Sequence, residues 1–164
     1  RLNNIVTDAC LHGVEVYNLG SKGNCVINGG WLNNYYNEDA NVTGITVESS
    51  DNILIDGVTF QQVAANLPTY WCGITSSNCN ALKVVNNNFI NLKQDVSVAN
   101  INFSVFNNNT SKCDISNNVP RFHLNGCSGC TICGNTINVI GDVGIYATGK
   151  NIIANNVERE NRGC

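Results

Sequence analysis

Two stretches decide the fold: Gly44-Ile-Thr-Val-Glu48 followed by Ile53-Leu-Ile55, and Gly73-Ile-Thr-Ser-Ser77 followed by Leu82-Lys-Val84. Each opens on an apolar–polar alternation, the period of a strand with one buried face. A short polar break leads to a second apolar run. Asp56-Gly57 in one and Asn86-Asn-Asn88 in the other then turn into a third, Val58-Thr-Phe60 and Phe89-Ile-Asn-Leu92. The first inward isoleucines, Ile45 and Ile74, stand 29 residues apart. Two matching three-strand units at such a period are the mark of a solenoid.

The unit recurs on both sides. Gly13-Val-Glu-Val-Tyr17 precedes the pair; Asp95-Val-Ser-Val-Ala99, Phe122-His-Leu-Asn125 and Gly144-Ile-Tyr-Ala-Thr148 follow it. The first inward residues are then Val14, Ile45, Ile74, Val96, Phe122 and Ile145, with spacings of 31, 29, 22, 26 and 23. Second strands are expected at Cys25-Val-Ile27, Ile101-Asn-Phe103, Cys130-Thr-Ile132 and Ile152-Ile153, with Cys113-Asp-Ile115 competing in the fourth coil. Third patches include Ile115, Ile137-Asn-Val139 and Val157. Uneven spacing suits coils with variable loops. The fold expected is all-β: a right-handed single-stranded parallel β-helix of about six coils, forming one domain over residues 1–164 that is a segment of a longer chain. Stacking at about 4.8 Å buries each inward side chain between its neighbours. An antiparallel β-sandwich would also have many short strands, but it predicts no column of like residues.

Composition agrees. Asn makes up roughly a fifth of the chain and Gly numbers 15, both tolerant of left-handed turns. Charged residues are only 13% and the net charge is −3. With no basic patch, nucleic acid is not an expected partner, and no apolar stretch reaches membrane-spanning length.

The repeated Gly-Ile-x-Val and Asn-x-x-Ile pattern with its Asn-rich turn resembles the pectin-lyase-like β-helix superfamily, which includes pectate lyases, polygalacturonases, alginate epimerases and phage tailspikes. The resemblance covers nearly the whole chain, but it is to a fold pattern. It implies a polysaccharide partner carried along the outward face of the first strands. It also implies a homotrimer or larger assembly at the virion surface or outside the cell. The superfamily's Asp-rich, Gly-His-Gly and Asp-Pro-His-Glu patterns are absent, which weighs against a complete active site. The function expected is a polysaccharide-recognising β-helix of the tailspike kind, with cleavage of the polymer, by hydrolysis or elimination, left open. A structural stalk and a free-standing lyase or hydrolase are the alternatives.

The outward first-strand residues expected to form the face are Glu15 and Tyr17, Thr46 and Glu48, Thr75 and Ser77, Asp95 and Ser97, His123 and Asn125, and Tyr146 and Thr148. Glu15, Glu48, Asp95 and His123 are the candidate catalytic residues. Glu15 and Glu48 lie on a diagonal of about 7–8 Å, within the span of an inverting glycosidase's two carboxyls. Any two carboxylates on a polar strand face could give this spacing. Tyr17, Asn125 and Tyr146 are candidate sugar contacts. Two aromatic loops, carrying Trp31, Tyr35 and Tyr36, and Tyr70 and Trp71, are expected either to form a stacking wall or to cover the core.

Nine cysteines cannot all pair within one chain. Several fall at core positions, which favours buried thiols over disulfides. Cys127-Ser-Gly-Cys130-Thr-Ile-Cys133 has a metal-like spacing. In the repeat, however, Cys130 falls in the column of Cys25, Ile53 and Leu82, and residues three apart on a strand face opposite ways. No metal and no cofactor is therefore expected.

Overall fold

The computed structural model describes residues 1–8, 12–21, 23–34, 41–62, 70–113, 119–139 and 144–160. Strand β1 (Leu2–Asp8) lies at the N-terminal end. Coils then follow as β2 (His12–Gly20) and β3 (Cys25–Asn34); β4 (Asn41–Ser50), β5 (Ile53–Asp56) and β6 (Thr59–Gln62); and β7 (Tyr70–Ser77), β8 (Lys83–Val85) and β9 (Asn88–Ile90). The rest are β10 (Gln94–Ala99), β11 (Val105–Asn107) and β12 (Thr110–Lys112); β13 (Phe122–Asn125), β14 (Thr131–Cys133) and β15 (Thr136–Val139); and β16 (Ile145–Ala147), β17 (Ile152–Ala154) and β18 (Val157–Glu160). The described residues contain no helix. The first strands make a six-stranded sheet, β16-β13-β10-β7-β4-β2, and the second and third strands share a 12-stranded sheet through the long β3. Every pairing is parallel, which makes the protein a parallel β-solenoid.

The inward column matches the repeat residue for residue: Val14, Ile45, Ile74, Val96, Phe122 and Ile145 pair successively. Ile45, Ile74, Val96 and Phe122 are fully buried, while Val14 and Ile145 at the two ends are only partly so. Phe60 and Phe89 stack at 5.0 Å, and Phe122 meets Phe89 edge-on at 6.1 Å. Gly44 and Gly73 give these rings their space, since a Cβ there would come within 2.7 Å of Phe60 and 2.8 Å of Phe89.

Corners are built from left-handed residues stacked on one another. Ser49, Asn78, Asn100 and Gly126 make one such column, and Gly57, Asn86, Asn108, Gly134 and Asn155 another, all with φ between 51° and 67°. Next to the second column runs a buried ladder of Asn87, Asn109, Asn135 and Asn156. Each of the first three gives its backbone N–H and its side-chain amide to the next Oδ1, at 2.8–3.1 Å. Every ladder amide also donates to a backbone carbonyl: Ile55, Val84, Phe106 and Ile132 in turn. The Asn-rich composition thus satisfies the polar groups of a sharp buried turn, which would be costly left unpaired.

Two expectations are corrected. Six strands stack in the smaller sheet, but only the four coils of β4–β6, β7–β9, β10–β12 and β13–β15 are full three-strand turns covered on both sides. About four turns therefore replace about six. In the fourth coil the second strand is Val105–Asn107, with neither Ile101-Asn-Phe103 nor Cys113-Asp-Ile115 in that place. Ser104 takes the inward position because its hydroxyl accepts the Leu82 N–H at 3.1 Å and donates to the Asn102 carbonyl at 3.0 Å. Phe103 turns outward instead, 74% exposed with φ 52°. Ile115 lies outside the described residues, and β12 (Thr110–Lys112) supplies the third strand.

Candidate functional site

The outward face of the six-stranded sheet carries two unbroken columns. One runs Glu15, Thr46, Thr75, Ser97, His123, Tyr146; the other runs Tyr17, Glu48, Ser77, Ala99, Asn125. Thr148 follows Asn125, donating from Oγ1 to its Oδ1 at 3.4 Å. Strand alternation puts these groups outside because Val14, Val16 and their successors face in. At about 4.8 Å per rung, six strands extend the face over roughly 24 Å.

The two ends differ. At one end the Tyr17 hydroxyl donates to Glu15 Oε1 at 3.3 Å. Partial desolvation, together with the Glu15 and Glu48 carboxylates, raises the Tyr17 phenol above its ordinary value. Tyr17 therefore sits among both carboxylates proposed from the sequence as an acid–base pair. At the other end the His123 and Tyr146 rings meet edge to face at 5.3 Å, with Tyr146 49% exposed. Between them Thr75 Oγ1 donates to Thr46 Oγ1 at 3.2 Å. The columns hold two carboxylates and one imidazole but no Lys or Arg. Such a surface offers hydroxyl and amide hydrogen bonds and ring faces, and it disfavours an anionic ligand.

Other expected members are placed elsewhere. Asp95 is buried at 1% exposure, not outward. It falls in the column of Gly44 and Gly73, whose Cβ directions lead to the core phenylalanines. In its coil Ser111 stands in the column of Phe60 and Phe89, so a larger residue replaces glycine where a smaller one replaces phenylalanine. Trp71 is also buried at 1%, and covering the core is the role it takes of the two expected. Trp31 is partly exposed on the other sheet, its Nε1 donating to Gln61 Oε1 at 3.2 Å. Tyr70 begins β7 opposite Asn41. Tyr35 and Tyr36 lie outside the described residues. The aromatic wall is thus not assembled from Trp31 and Trp71. Exposed Phe103 was missed, because its apolar character read as a core position.

Cys25, Cys72, Cys79, Cys127, Cys130 and Cys133 are free thiols. Cys127 and Cys130 are both buried in the core, contrary to the opposite orientations expected, with left-handed Gly129 between them. Cys133 turns outward toward the Asn155 amide at 3.9 Å. Among the described residues, no three His, Cys, Asp or Glu side chains gather as a metal cluster would. No helix among them is long and apolar enough to cross a membrane. No family model, curated protein or solved structure matches the chain, so the parallel β-solenoid stands as its classification.

Proposed function

We propose that the outward face of β2, β4, β7, β10, β13 and β16 binds an uncharged polysaccharide. The observation that carries this reading is the pair of polar columns: hydroxyls, an amide and an imidazole between two exposed tyrosines, with carboxylates but no cation. Tyrosine rings present flat apolar faces to sugar rings while their hydroxyls stay hydrated. Glu15 and Glu48 would repel a uronate polymer. The repeat's resemblance to pectin-lyase-like proteins supports the same surface, and with it a tailspike-like homotrimer outside the cell or on a virion. Cleavage, where it accompanies binding, belongs to Glu15 and Glu48. Asp95 is too deeply buried to meet a polymer.

The test is retention of the full chain on immobilised neutral and uronate polysaccharides. Retention on neutral polymers alone is expected. Preference for uronates, or no retention on any glycan, would overturn the proposal; the second result would favour a purely structural rod held by its core and Asn ladder.

A further inference from the structure

Asn125 ends β13, and Gly126 opens the corner that follows, left-handed at φ 64°. Both residues are exposed. That exposure is lateral, since neighbouring rungs flank Asn125 on both sides: Ala99 pairs with it on one, and Thr148 bonds to it on the other. Left-handed residues stack along this corner as Ser49, Asn78, Asn100 and Gly126. They follow Glu48, Ser77, Ala99 and Asn125 in turn, so of these four corners only this one sets an asparagine before a glycine.

Thr148 Oγ1 bridges the two residues. It accepts the Gly126 N–H at 2.7 Å and donates to Asn125 Oδ1 at 3.4 Å. One hydroxyl thus joins a backbone nitrogen to the side-chain carbonyl of the residue before it. Those groups are the nucleophile and the electrophile of succinimide formation, in which the amide nitrogen closes a five-membered ring on the asparagine Cγ. Glycine admits that closure most readily, because it has no Cβ to crowd the approaching side chain. The stack itself calls for glycine here, since a Cβ on Gly126 would lie 2.9 Å from Asn100 Oδ1.

We propose that Asn125 is a self-modification site, deamidating through a succinimide with Thr148 as the proton relay. The Gly126 nitrogen bonds to Asn125 Cγ while its proton passes to Thr148 Oγ1 and the Thr148 proton passes to Oδ1. The tetrahedral carbon then expels Nδ2. The Oδ1 proton goes to the leaving nitrogen, the Cγ–Nδ2 bond breaks, the carbonyl reforms and ammonia departs. Water opens the ring at either carbonyl, which leaves aspartate or isoaspartate at this position. In sum, one amide and one water become one carboxylic acid and one ammonia. A hydroxyl that takes one proton and gives another serves as base and acid together and ends unchanged. Either product places a carboxylate in the column of Glu48. Its effect on a bound polysaccharide rests on the function proposed above; the chemistry does not.

The test incubates the full folded chain for days in neutral buffer at physiological temperature. The tryptic peptide 122–150 is followed by mass spectrometry, with electron-transfer fragmentation to separate aspartate from isoaspartate. The expected peptide carries OH in place of NH2 at Asn125, as both isomers. It should form faster than the same change at Asn28-Gly29, where Asn28 is half-buried within β3 (Cys25–Asn34). Thr148→Ser should keep the rate, and Thr148→Val should slow it about tenfold. No conversion at Asn125, conversion no faster than at Asn28, or aspartate without isoaspartate would overturn the proposal. So would a Thr148→Val rate equal to or above that of wild type. Should Thr148→Val not fold, the wild-type comparison of Asn125 with Asn28 decides.

Discussion

Asn109 accepts two hydrogen bonds from Asn87 through a single oxygen, from the backbone N–H at 3.0 Å and from the side-chain amide at 3.1 Å. Its own amide donates to Asn135 Oδ1 and the Val84 carbonyl, both at 2.9 Å. The ladder is therefore continuous, and each rung serves its neighbours as well as itself.

Asn109→Leu should cost about 3 kcal/mol, because it removes the acceptor of two buried donors on Asn87 and takes the Asn109 amide from the Val84 carbonyl. Urea unfolding measures it. An unchanged midpoint would mean that the ladder contributes nothing to stability.

Phe89→Ala removes the central ring of the Phe60–Phe89–Phe122 cluster. The loss should be about 4 kcal/mol from transfer and cavity terms. Gly73→Ala should also destabilise, since the new methyl would lie 2.7 Å from the Asp95 carbonyl oxygen as well as against Phe89. Thermal unfolding of Gly73→Ala beside wild type checks the second claim, and equal transitions would refute it.

Stability should fall in alkaline solution. Burial, followed by the nearby Asp95 carboxylate, raises the Cys72 thiol far above its ordinary value. The unfolded chain ionises this thiol above about pH 8.5 while the folded chain keeps it protonated, so the contribution is complete below that pH and is lost above it. The slope should approach about 1.4 kcal/mol per pH unit for each such thiol. Cys72→Ala should flatten the fall in urea midpoints between neutral and alkaline buffer; a slope as steep as wild type would count against the buried thiol.

On the outward face, Tyr146→Ala should weaken retention on a neutral polysaccharide about five- to tenfold, the worth of roughly 1 kcal/mol for one ring. If the polymer is cleaved, Glu48→Gln should abolish turnover and leave retention nearly intact. Persistent cleavage by Glu48→Gln would remove Glu48 from the chemistry, whatever the binding result.

Much of this was legible because a solenoid writes its packing into one repeating line. Val14, Ile45, Ile74, Val96, Phe122 and Ile145 could be aligned by eye, and each pairs with the next in space. The register of Glu15, Glu48, His123 and Asn125 followed from the same alternation. The fourth coil was misread because Ser104 sits inward as a hydrogen-bonded polar residue while Phe103 is apolar and exposed. Hydrophobicity alone points the wrong way at both.

The amino-acid order by itself determined the period, the strand alternation and the Asn and Gly corners, because these arise from neighbouring residues and from local backbone preference. Only the tertiary structure decided which side chains meet across coils. It buried Asp95 in the glycine column, Trp71 in the core, and Cys127 and Cys130 alike. Those outcomes depend on volumes and hydrogen bonds exchanged with the coils above and below, which a single line of sequence does not display.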